Sequence, residues 1–104
     1  MKYAYHDLGH REAGESVSVR LSGSACNVIL VDQRNFAQYR AGLPFRYTGG
    51  HCFRSPVELE IASDGHWYVV VDLGGYRGRV RGSVDVRPTG VRRRSEHRGA
   101  LVEA

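Results

Sequence analysis

The 104-residue sequence is short of several things, and each shortage removes a class of protein. It has only two cysteines, Cys26 and Cys52. Two are too few for a disulfide framework, so both are expected as reduced thiols inside a cell. Long apolar runs are missing as well: the strictly aliphatic stretches Val28 to Val31 and Val69 to Val71 fall far below the roughly 20 residues of a membrane-spanning helix. The opening MKYAYHDLGH sets tyrosines, histidines and an aspartate where an export signal needs an unbroken apolar region. A cytoplasmic location and no membrane partner are the expectation. Lysine is nearly absent, one residue against 14 arginines. Arginine offers forked donors suited to carboxylates and phosphates, although a GC-rich genome produces the same skew.

Charge of one sign is also scarce. The formal net charge is +4. Residues 91–104 hold four arginines against two glutamates, and the remainder holds 11 basic and 9 acidic residues. A body this near neutral lacks the field of a protein whose affinity comes from nucleic-acid phosphates. With 41% hydrophobic and 25% charged residues, the composition is that of one globular domain.

What the sequence does contain is period two. In ESVSVRL, Val17, Val19 and Leu21 share one face while Ser16, Ser18 and Arg20 share the other, the pattern of a half-buried strand. PVELEI repeats it, with Val57, Leu59 and Ile61 inward and Glu58 and Glu60 outward. HWYVVVDL and CNVILVD are apolar on both parities and predict central strands, the former with Trp67, Val69, Val71 and Leu73 on one side. KYAYHD and GRVRGSVDVR complete six strands. Glycine-rich punctuation such as LSGSA, YTGGH, ASDGH and DLGGYRG reads as turns between them. This predicts an all-β antiparallel sandwich, jelly-roll-like, of six to eight strands. One short helix is expected over 33–41: Asp32 or Asn35 caps its start, Phe36 and Tyr39 share a face, and Gly42 and Pro44 end it. The aromatic pair is expected to plug an open end of the sandwich. Pro88 and Gly90 stop the last strand, so the domain is drawn as residues 1–88 and residues 89–104 as a disordered basic tail.

YHDLGH, LSGSACNVILVD, NFAQYRAG, YTGGHCFRSPVELEI and GHWYVVVDLGGYRGRVRGSVDV together resemble the bacterial family catalogued as domain of unknown function 1883, over about residues 3 to 87. The resemblance implies a compact β-sandwich similar to jelly-roll modules of the CUB or GOLD type. Some members are joined to Toll/interleukin-receptor-like (TIR) signalling domains, which implies a sensor or adaptor role. It supplies no catalytic residue.

Several constellations carry chemistry. The arginines at 77, 79, 81 and 87 share one parity of the last strand, with Val80, Val84 and Val86 on the other and Gly82 leaving a gap. The gap would admit Trp67 or mark a bulge. The plain reading of the arginines is a solvated ladder against Glu58 and Glu60 on a neighbouring strand. The functional reading takes the rim formed by GGHCFRS and DLGGYRG, where His51, Arg54, Asp72, Tyr76, Arg77 and Arg79 would bind a ligand. Arginines would hold an anionic group, Tyr76 would stack and Asp72 would orient an arginine.

GGYRG lacks the lysine and helix context of a phosphate-binding loop. His6, His10, His51, His66 and Cys52 match no standard zinc spacing, so no metal and no cofactor is expected. Neither Cys26 nor Cys52 has a base and oxyanion site written beside it, so no catalytic residue is named and the chain is read as no enzyme. Tyr3, Tyr5, Tyr47, Tyr68 and Tyr76 could stack bases, but without a recognition signature a nucleic-acid or phosphate binder is the alternative. The favoured reading is a binding or adaptor module for a protein or small anionic ligand. It is expected to be a monomer or, through its edge strands, a weak homodimer.

Overall fold

The computed structural model describes residues 3–23, 26–52, 55–74, 78, 80–88 and 97–103. In chain order the elements are β1 (Ala4–Arg11), β2 (Ser16–Gly23), β3 (Cys26–Asp32), α1 (Gln33–Ala41), β4 (Thr48–Cys52) and β5 (Val57–Glu60). They continue with β6 (Gly65–Asp72), β7 (Val80–Arg87), β8 (His97–Ala100) and β9 (Val102–Glu103). A five-stranded sheet runs β4-β3-β6-β1-β9 and a four-stranded sheet β5-β2-β7-β8, and every pairing is antiparallel. Pairing of β3 with β6 and of β2 with β7, nested around β4 and β5, is the wrap of a jelly roll.

The alternating strands behave as their period requires. Val17, Val19, Val84 and Val86 of the smaller sheet meet Leu8, Val28, Leu30, Trp67, Val69, Val71 and Leu73 of the larger in one buried cluster, with Leu21, Val57 and Leu59 against it. Each fully buried valine, leucine or isoleucine contributes about 1.5–3 kcal/mol relative to exposure. Ser16, Arg20, Glu58, Glu60, Arg81 and Arg87 lie exposed on the opposite face of the smaller sheet.

The strands that are apolar on both parities have a second use. Ile29, Val31 and Val70 point out of the larger sheet and are covered by Phe36 of α1, with Tyr3, Tyr5, Tyr39, Phe45 and Tyr68 packed around them. The helix starts where expected: the Asp32 carboxylate accepts from the Asn35 amide at 2.8 Å, and Gly42 closes the helix in the left-handed region at φ 73°. Its aromatic pair does not plug an end of the sandwich. It roofs the outer face of the larger sheet, because only there does a second apolar surface need cover.

Four further expectations change. The YTGGH turn is part of strand β4, and the described residues form nine strands rather than six to eight. Glycine serves close approach there, since a Cβ on Gly49 would collide with the Val28 carbonyl of the neighbouring strand. The acidic pair of β5 does not adjoin the arginine strand, because β2 lies between them and the Ser18 hydroxyl donates to Glu58 at 2.8 Å. The gap at Gly82 is filled by Leu21 and Leu101 rather than Trp67; both leucine side chains come within 2.8 Å of where a Cβ would stand. The tail likewise departs from disorder over residues 97–103, where β8 pairs with β7 and β9 with β1. Backbone pairing, one leucine and polar contacts from His97 and Arg98 hold it, and none of these needs the apolar periodicity it lacks.

Candidate functional site

The C-terminal ends of β2, β4 and β6 and the N-terminal ends of β3, β5 and β7 lie at one end of the sandwich, so the strand ends that flank the two loops singled out in the sequence share an end. His51, Asn27 and Asp72 form one row across β4, β3 and β6. His51 Nδ1 lies 3.3 Å from the Asn27 amide oxygen, and the Asn27 amide donates to one Asp72 carboxylate oxygen at 2.9 Å. The same oxygen accepts from the Gly74 backbone amide at 3.0 Å. The other oxygen accepts from the Tyr39 hydroxyl at 2.9 Å. Burial together with the adjoining carboxylate pushes the Tyr39 phenol well above its ordinary pKa. Among the described residues, then, Asp72 ties the β6–β7 turn and the helix to the rim. Arg54, Tyr76, Arg77 and Arg79 lie outside the described residues.

Around the corner, on the smaller sheet, Arg20, Leu21, Ser22, Arg81, Gly82 and Ser83 line an open depression of about 380 Å³. Arg20 stands opposite Ser83 and Ser22 opposite Arg81, which brings two guanidinium groups and two hydroxyls to one surface. Neither arginine has a carboxylate within ion-pair distance among the described residues. Asp85, the nearest acid along β7, is engaged by Arg98 of β8 at 3.5 Å. The signal was present in the sequence as the shared outward parity of Arg20 and Arg81. What it lacked was the register that sets them diagonally across one strand pair.

Three of the five histidines, together with Asp7, form two pairs rather than one cluster. His66 Nε2 meets the Asp7 carboxylate at 2.5 Å. Burial pushes that carboxyl's pKa up, but the Gly9 amide and the His66 ring outweigh it and hold it below the ordinary value. His6 Nε2 meets His97 Nε2 at 2.6 Å. Among the described residues no three His, Cys, Asp or Glu side chains gather as a ligand set. Cys26 is buried in the core and stands opposite Cys52 in backbone register; the side chain of Cys52 lies outside the described residues. Tyr3, Tyr5 and Tyr68, candidates for base stacking, are instead packed around Phe36 beneath the helix, while Tyr47 stays exposed and Tyr76 lies outside the described residues. No helix among the described residues is long and apolar enough to cross a membrane.

An antiparallel sandwich with one roofed face, one bare polar face and a loop-rich end defines an all-β domain. The family model of a domain of unknown function, DUF1883, matches residues 1–90, and the chain belongs to that family. No curated protein and no solved structure matches it.

Proposed function

We propose that the chain is a non-catalytic binding module of the bacterial cytoplasm that recognises an anionic group, on a protein or a small ligand, at its loop-bearing end. The carrying observation is the pair Arg20 and Arg81, two exposed guanidinium groups beside Ser22 and Ser83 with no carboxylate within ion-pair distance among the described residues. Forked donors of this kind hold a carboxylate or phosphate in a fixed orientation. His51 on the same end adds a donor, and Asp72 keeps the surrounding turn in shape through Asn27, Tyr39 and Gly74. Arg54, Tyr76, Arg77 and Arg79 belong to the two loops of that end by sequence.

The test is a titration followed by amide resonances, with inorganic phosphate and acetate as probes. Shifts confined to Arg20, Ser22, Arg81 and Ser83 are expected for at least one anion, with loss of at least tenfold in affinity when Arg20→Glu and Arg81→Glu are combined. No response at those amides, or a response the double reversal leaves intact, defeats the reading. A single-stranded oligonucleotide run beside the small anions, with binding that falls steeply as salt rises, would move the assignment to nucleic acid.

A further inference from the structure

Residues 97–103 bridge the two sheets along one side of the sandwich. β8 extends the smaller sheet, with His97 opposite Val86 and Ala100 opposite Ser83. Leu101 then crosses to the larger sheet, where Val102 and Glu103 stand opposite Tyr5 and Ala4. Without this segment β1 and β7 would each be an edge, and the space between them an open slot.

The slot has its own selectivity. Leu101 donates its amide to the Gly82 carbonyl at 3.1 Å and places its side chain in the notch that glycine leaves. Gly99 lies directly beneath the His6 ring, so that a Cβ at this position would fall on the imidazole. The His6 ring reads the segment twice. Its Nδ1 is 3.1 Å from the Ala100 carbonyl, which can only accept, so Nδ1 carries the proton. Nε2 is then an acceptor for the His97 Nε2–H at 2.6 Å. Outside the slot, Arg98 meets Asp85 at 3.5 Å.

Two facts mark the segment as replaceable. It lies beyond the residues matched by the family model, which end at 90, whereas every wall of the slot (His6, Gly82, and the edges of β1 and β7) lies within them. Its tether is also long. Arg87 still pairs with Ser16 and His97 with Val86, so nine residues, 88–96, separate β7 from β8 in the sequence, where two to five are usual between hairpin strands. Nine residues span at most about 30 Å, a chain length that does not itself forbid displacement of the segment from the slot.

We propose that the slot between β1 and β7 is a strand-accepting site for an extended segment of a partner protein bearing glycine and, two residues later, leucine. The chain's own residues 97–103 occupy it in cis until such a segment displaces them. Recognition is by strand addition, with main-chain pairing for affinity and the Gly99 and Leu101 positions for specificity. A tethered competitor acts at an effective concentration in the millimolar range, so the unaltered chain should bind a free peptide only weakly.

The experiment uses the full chain and a fluorescent peptide of sequence HRGALVE, read by anisotropy, with Trp67 emission reporting folding. Leu101→Asp, which spoils the tail but leaves the slot intact, should bind the peptide at least tenfold more tightly than the unaltered chain. A peptide with valine in place of its glycine should lose at least tenfold. Gly99→Val, introduced in the chain, is the second tail-releasing variant and should behave as Leu101→Asp does. Equal affinity in the unaltered and altered chains, or no binding to any, overturns the proposal. So does unfolding of both variants, which would make the segment an inseparable part of the core. Wild-type dimers forming by reciprocal tail exchange would overturn the separate partner in favour of a second copy. Arg20 and Arg81 are untouched in these variants, so the phosphate response stands or falls separately.

Discussion

The two outer faces of this sandwich are built from the same kind of strand and treated oppositely. On the larger sheet Ile29, Val31 and Val70 continue the apolar pattern to the outside. There Phe36 stacks on Tyr68 with ring centroids 4.2 Å apart, and Arg40 lies over the Phe36 ring at 5.5 Å. On the smaller sheet the outward row is Ser16, Ser18, Arg20 and Ser22 beside Arg81, Ser83, Asp85 and Arg87, with no helix or apolar cluster packed over it among the described residues. The contrast separates stability from recognition. Apolar outward residues demand a roof because leaving them in water costs about 25 cal/mol per Å². Serine and arginine satisfy themselves in solvent and remain available to a ligand.

The largest test of that contrast removes the roof's keystone. Phe36→Ala should cost about 3–5 kcal/mol, the range for a buried aromatic truncated to alanine, measured by urea denaturation. Ser18→Ala on the bare face should stay within about 0.5 kcal/mol. A Phe36→Ala loss no larger than that of Ser18→Ala would mean that the helix is decoration. Next in size is the joint between roof and rim. Asp72→Ala leaves the Asn27 amide and the Tyr39 hydroxyl without their acceptor, which should cost about 1–3 kcal/mol. Tyr39→Phe alone should cost less, because Asn27 and Gly74 keep their bonds.

The smallest effect concerns the side slot. His97 has its pKa lowered from 6.5, first by burial, then by the facing His6 and by Arg11, with Asp7 opposing. A group depressed in the docked form binds protons more readily once released. Its contribution to docking is therefore complete above about pH 6.5 and is lost as pH falls below that value. Hydrogen exchange at the Leu101 amide should quicken between pH 6.5 and 5.5 relative to the Val28 amide, beyond the intrinsic pH dependence of each. His97→Gln should flatten the difference; protection that ignores pH would remove the histidine pair from the docking balance.

Much of the layered fold was legible because alternation is a local signal. ESVSVRL and PVELEI each declare their inward residues without reference to any partner, and the Asp32 cap and Gly42 stop lie within a few residues of the helix they bound. β4 was read as a turn because the same glycines serve either purpose, and only the approach of Val28 from another strand shows which. The tail was missed because its three inward positions are a histidine, a glycine and a leucine, whose fit depends on His6 and Gly82 far away in the chain. Of the candidate site, His51 and Asp72 share the expected end, yet their link runs through Asn27, which no motif marks.

The sequence by itself determined which residues face inward, how many sheets are needed to bury them and where the helix begins and ends, because those follow from spacing along one chain. Only the tertiary structure decided that the helix roofs a face, that the arginines at 20 and 81 lie diagonally across a strand pair, and that a leucine at 101 fills the notch at 82. These depend on register between distant segments, and register is set by the packing of whole sheets against each other.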